Sequence, residues 1–80
     1  MAKFIITFLV TIDGTKTETG TIGVSSPTTD YYPNRVKDTV VKQYRKKFPA
    51  AQAVAYKMLK KDQVTDEQYR NGAEDFIEIM

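Results

Sequence analysis

The run of residues 3–12, KFIITFLVTI, constrains the fold of this chain more than any other segment. β-branched and aromatic side chains dominate it, which favours a strand, because such side chains pack well on a pleated surface. Successive side chains of a strand point to opposite faces. One face would carry Phe4, Ile6, Phe8, Val10 and Ile12, and the other would carry Ile5, Thr7, Leu9 and Thr11. Since both faces hold apolar side chains, we expect a central position in a sheet.

The dipeptide Asp13-Gly14 follows this run and is a typical hairpin turn. The loop length decides which face of a second strand, at about residues 15–24, joins the apolar face of the first. A two-residue loop would place polar threonines there. A three-residue loop with a bulged glycine would pair Thr11 with Thr15 and bring over the apolar residues of the second strand, Ile22 and Val24. We predict the three-residue loop, because it joins apolar with apolar side chains.

Residues 33–47 have the period of an amphipathic helix. Pro33 is tolerated in a first turn, where its missing N–H has no partner. The residue before a proline avoids the helical region, so Phe48-Pro49 ends the helix. Tyr31 and Tyr32 precede the helix, and we expect them to cover its start as an apolar lid. The predicted buried stripe consists of Val36, Val40, Tyr44 and Phe48, with Val41 beside them.

Residues 50–61 allow two interpretations. Their alanines favour a helix by intrinsic propensity. The same segment also alternates between apolar and polar residues from Ala53 to Leu59, as a strand does. A long helix that ends at Phe-Pro commonly leads back to a sheet. We therefore predict a strand at about 53–60, with a helix as the alternative.

The end of the chain predicts a short helix and a last strand. Thr65 and Gln68 have the spacing of a capping box, in which each residue satisfies a backbone N–H of the other. A helix at about 66–71 should follow and end at Asn71-Gly72. Residues 74–80 alternate again and are predicted as a strand.

These elements indicate an α+β fold, a small two-layer domain covering residues 1–80. We expect a mostly antiparallel sheet with strands at about 3–12, 15–24, 53–60 and 74–80. One amphipathic helix (about 33–47) should pack on one face, with a short helix near 66–71. Ile5 and Leu9 lie on the other face, and if that face is uncovered it would suit a homodimer.

The composition excludes most enzyme chemistry. The 80 residues contain no His and no Cys, which removes the usual general base near neutral pH, thiol nucleophiles and most zinc sites. The carboxylate pairs at 66–67 and 74–75 are better explained as structural. We expect no catalytic residues, no metal and no cofactor. The absence of Cys is typical of a cytoplasmic protein, and no segment has the length of apolar sequence that crosses a membrane.

Charge is distributed unevenly along the chain. Residues 35–61 contain nine basic residues and one acidic residue, a net charge of +8, whereas the rest of the chain carries −6. Positive charge near a helix C-terminus also has a purely structural explanation, since it interacts favourably with the helix dipole. The functional interpretation is an anionic partner. The candidate partner-binding residues are Arg35, Lys42, Arg45 and Lys46 on the helix, extended by Lys57, Lys60 and Lys61.

Two functions fit this pattern. The first is a small non-enzymatic binding module, an adaptor or inhibitor that binds an unidentified protein through the basic helix face. The alternative is a nucleic-acid-binding protein that contacts phosphates through the same face. Segregated charge of both signs and a modest total charge of +2 favour the first.

Overall fold

The computed structural model describes residues 2–79 and contains four strands and two helices. The predicted α+β class is confirmed. In chain order the elements are β1 (Ala2–Ile12), β2 (Lys16–Ser26), α1 (Pro33–Lys47), β3 (Val54–Gln63), α2 (Asp66–Gly72) and β4 (Asp75–Glu78). The alternative of a helix in 50–61 is therefore wrong. The last strand is shorter than the predicted 74–80, and Met80 lies outside the described residues.

The four strands form one sheet in the order β3-β1-β2-β4. The segment that the sequence marks as central, β1, pairs with β2 and β3, both antiparallel. The short strand β4 pairs with β2 in parallel, so the sheet is mixed but mostly antiparallel. β3 and β4 are the two edges of the sheet.

The β1–β2 turn differs in register from the prediction. Thr11 pairs with Thr17 rather than with Thr15, a shift of two residues. Asp13 and Gly14 both have positive φ, at 51° and 72°, so the turn is built on these two residues. A shift of two residues leaves every side chain on its face. Ile22 and Val24 therefore lie on the apolar face with β1, as predicted.

The core lies between α1 and the face of the sheet that carries Phe4, Ile6, Phe8, Val10 and Ile12, here called the first face. Val36 and Val40 of α1 are fully buried against it. Tyr44 packs edge-on against Phe8, with ring centroids 6.1 Å apart. The predicted bounds of α1 are confirmed. Of the predicted stripe, Val36 and Val40 are buried and Tyr44 and Phe48 are partly buried, whereas Val41 is not among the residues packed against the core.

In residues 2–79, α2 covers one end of the opposite side of the sheet, which we call the second face. The capping box of Thr65 and Gln68 is present with both of its hydrogen bonds. Gly72 at the end of α2 lies against Ile5, and Gly23 leaves room for two rings, those of Tyr69 and Phe76. Ile5 is therefore occupied within the chain, and only Leu9 is left for the predicted homodimer contact.

Candidate functional site

The outer surface of α1 presents four of the predicted cations. At about 100° per residue, Arg35, Lys42 and Lys46 lie within about 40° of one another, and Arg45 flanks them. All four are exposed, on the side of the helix away from the buried Val36 and Val40. We call this set the basic face: Arg35, Lys42, Arg45 and Lys46. With a rise of about 1.5 Å per residue it extends for about 16 Å.

The cations of the basic face have no ion-pair partner within residues 2–79. The ion pairs found there use other cations, namely Lys3, Lys16, Lys47 and Lys60. Asp38 is exposed on the same side of α1 and lies within 4.0 Å of none of the four basic groups. The basic face is therefore a solvated positive surface whose charge the chain does not neutralise by contact.

Two of the three cations of β3 lie away from the basic face. Lys57 pairs with Leu9 and Lys60 with Thr7, which places both on the second face, away from α1. Lys61 pairs with Ile6 and lies on the α1 side, with its Nζ 4.9 Å from the centre of the Tyr31 ring. The seven predicted site residues therefore do not form one surface. Lys57 and Lys60 lie on the opposite side of the sheet from α1, and the other five lie on the α1 side.

Acidic groups border α1 on the side of β2 and β4. The amide of Gln43 donates a hydrogen bond to Asp75 at the start of β4. Lys47 binds Glu18 of β2 at 2.9 Å, and this hydrogen bond lowers the pKa of Glu18 and raises the pKa of Lys47. Together with Gln43, Lys47 and Asp75, Glu74 lines an open cleft of about 230 Å³. The molecule is therefore positive on the outside of α1 and along β3, and more negative along β2 and β4.

The two tyrosines before α1 are held by the core. The Tyr31 ring packs against Phe4 with centroids 6.2 Å apart, and Tyr32 also contacts the core. The predicted lid over the helix start is confirmed. Neither ring adds a freely exposed aromatic to the basic face.

Sequence reasoning missed a set of exposed apolar side chains at the two edges of the sheet. Met58 and Leu59 on β3 are 38% and 50% exposed, and Phe76 on β4 is 43% exposed. The sequence holds a signal for the first two. In Met58-Leu59-Lys60-Lys61, two apolar residues and then two lysines interrupt the alternation of β3. Such a break in alternation agrees with the one extra residue that a bulge inserts into a strand.

Comparison with known protein families, curated proteins and solved structures gives no match for this chain. Residues 2–79 hold no cluster of three or more acidic groups arranged to bind a metal ion. Neither helix in that range has the length and apolar character needed to cross a membrane. The function is therefore argued from the surfaces of the molecule.

Proposed function

We propose that the protein is a small binding module whose basic face contacts an acidic surface of another protein. The observation that carries this proposal is the basic face itself: four exposed cations on one side of one helix, without an ion-pair partner in residues 2–79. A helix packed on a sheet fixes the spacing of the backbone positions from which these charged side chains extend. Fixed charge patterns steer association and suppress partners of the wrong charge.

The surroundings of the basic face favour a limited acidic surface over an extended phosphate backbone. Glu18, Glu74 and Asp75 lie along the strands on one side of α1, and Asp38 lies on the helix itself. A long nucleic acid that crossed α1 towards β2 would meet these carboxylates. The aromatic residues of α1 and its C-terminus, Tyr44 and Phe48, pack against the core, so bases would find no stacking platform on α1.

A pair of charge-reversal variants tests the proposal by affinity capture from the native host. Lys42→Glu with Lys46→Glu removes two cations of the basic face. The matched control, Lys37→Glu with Arg70→Glu, changes the net charge from +2 to −2 in the same way, since each reversal subtracts two charges. Lys37 lies about 140–180° around the helix from Lys42 and Lys46. We expect the first variant to lose its protein partner and the control to retain it, with both folded by circular dichroism.

Fluorescence-anisotropy titration with single-stranded and duplex DNA and RNA examines the alternative function. Binding through the basic face could neutralise about four phosphates, and duplex DNA would then show a log–log salt slope of about −4. We expect no nucleic-acid binding that persists at about 0.15 M salt, where the Debye length is about 8 Å. Tight binding there, lost in Lys42→Glu with Lys46→Glu, would replace the protein partner with a nucleic acid.

A further inference from the structure

β3 is an edge strand that leaves one side of its backbone without a partner in the part of the chain that the structure describes. It is ten residues long, whereas the opposite edge strand, β4, has four. A long free edge is a template for another strand, because its outward N–H and C=O groups need hydrogen-bond partners. α1 packs on the first face, so it does not cover the edge in the plane of the sheet.

A bulge shapes the middle of this edge. Phe8 pairs with Met58 and the preceding residue, Thr7, pairs with Lys60, so Leu59 has no partner on β1. The extra residue bends a strand and locally increases its twist. Leu59 and Met58 are two of the three large apolar residues exposed in residues 2–79. A partner strand added at this edge would cover part of their exposed apolar surface.

The charge of β3 decides what the edge can accept. The strand carries Lys57, Lys60 and Lys61 against one acidic residue, Asp62, which pairs with Lys60 at 3.3 Å. Lysines on an edge strand oppose pairing with a second copy, because like charges would then lie close together. The same lysines attract an acidic segment. Charge complementarity therefore favours an acidic partner strand over self-association.

We propose that the β3 edge binds an extended acidic segment of another protein, which adds to the sheet as a fifth strand beside β3. Side chains on the same face of neighbouring strands meet. On the second face the segment would present carboxylates to Lys57 and Lys60. On the first face it would present apolar side chains to Met58, with Leu59 contributing at the bulge. Backbone hydrogen bonds give affinity in this mode of binding, and the alternating side chains give specificity. This surface is distinct from the basic face, and the inference does not depend on the function proposed for α1.

The probe is a synthetic peptide in which Glu alternates with Val or Ile. It has ten residues, which matches the length of β3. Two control peptides are used. The first has the same composition, but its Glu residues and its apolar residues stand in two separate blocks. The second keeps the alternation and has Lys in place of Glu. The readout is the ¹⁵N–¹H spectrum of the full chain at about 0.15 M salt. We expect the alternating peptide alone to bind, to shift the resonances of residues 54–63 and to slow amide exchange there.

Variants of the exposed apolar pair test its role. Met58→Ser with Leu59→Ser should weaken peptide binding about tenfold or more, because the apolar surface buried in the complex is removed. Deletion of Leu59 removes the bulge and leaves each lysine opposite the same β1 partner, so it tests Leu59 without altering the charge. Phe76→Ser removes a comparably exposed apolar side chain at the other edge and should leave peptide affinity within about twofold.

The outcomes separate this inference from its competitors. Failure of the alternating peptide to bind at millimolar concentration overturns it. Equal binding of the block-ordered peptide reduces the interaction to charge alone and also overturns it. Shifts confined to α1 would assign the peptide to the basic face, and shifts along β3 caused by DNA or RNA would assign the edge to nucleic acid. Loss of the captured protein partner in Lys42→Glu with Lys46→Glu bears only on the basic face.

Discussion

Gly23→Ala should weaken the packing of α2 and of the Phe76 ring on the second face of the sheet. A Cβ at Gly23 would lie 2.7 Å from Cδ1 of Phe76 and 2.8 Å from Cε1 of Tyr69. Real Cβ atoms do not approach other carbons so closely, so both rings must move. Tyr69 is only 8% exposed and has little room to do so. The backbone itself would accept alanine, because Gly23 does not have a positive φ.

The expected size of this effect follows from two opposing terms. Overpacking costs typically about 1–3 kcal/mol. Replacing a glycine inside a strand with alanine returns about 0.5–1 kcal/mol of backbone entropy. The net loss should be about 1–2 kcal/mol, and each kcal/mol lowers the Tm of a domain of this size by about 4–8 °C. Urea and thermal denaturation, followed by circular dichroism, measure both quantities.

A double variant identifies the cause of the loss. Phe76→Ala removes one of the two rings, so Gly23→Ala should cost less in that background than in the wild type. Gly14→Ala is the comparison, because its Cβ meets no atom within 4 Å and only its positive φ is strained. Gly14→Ala should leave amide protection in α2 unchanged. If Gly23→Ala is as stable as the wild type, or the double variant is additive, the steric reasoning is wrong.

Substitutions at three further positions have defined expectations. Tyr69→Phe should be neutral or stabilising by up to about 1–3 kcal/mol in urea unfolding, because the Tyr69 hydroxyl is buried without a hydrogen-bond partner in residues 2–79. Burial raises the pKa of Tyr69 above 10.0, so wild-type stability should fall as pH rises through that raised pKa, and less so in Tyr69→Phe. The hydrogen bond from Lys47 lowers the pKa of Glu18 below 4.5. The pair therefore stabilises the fold above the unfolded-state pKa of Glu18, and this contribution is lost as pH falls through the lowered pKa. On acidification, Tm should drop more in the wild type than in Glu18→Gln. Asp13→Ala should lower the free energy of unfolding in urea by about 1–2 kcal/mol. Oδ1 of Asp13 accepts hydrogen bonds from the backbone amides of Gln52 and Ala53, at 2.9 and 2.8 Å, and Asp13 has a positive φ. Asp13→Asn should retain most of the stability.

Local signals predicted most of the elements. The period of α1, the proline at its start and the Phe-Pro at its end are all properties of neighbouring residues, and α1 has the predicted bounds. The hairpin shows the limit of such reasoning. Matching apolar faces fixes whether the register is odd or even, but it does not distinguish registers that differ by two residues. That choice was made by the turn, where both Asp13 and Gly14 adopt positive φ.

Long-range pairing could not be predicted in the same way. The parallel pairing of β4 with β2 depends on α2 crossing the second face, where Gly23 leaves space for the rings of Tyr69 and Phe76. A glycine in a Thr-rich strand carries no local sign of which rings will lie over it. The bulge at Leu59 does have a local sign, which is the break in alternation from Met58 to Lys61.

The candidate site shows the same difference between what local spacing predicts and what long-range pairing decides. A helix gathers residues three, four and seven apart on one side, so the spacing of Arg35, Lys42 and Lys46 alone placed them together. A strand sends neighbours to opposite faces, and the bulge adds one more change of side between Lys57 and Lys60. A net charge of +8 over residues 35–61 is therefore a property of the sequence and of no single surface. The basic face and the β3 edge are two surfaces with different chemistry: the first is charged and lies on a helix, and the second is apolar at its centre and has an unpaired backbone edge. A partner bound to both surfaces would have to pass around the edge of the sheet. An acidic segment that pairs with β3 as a strand and then continues over the outer side of α1 would follow this path.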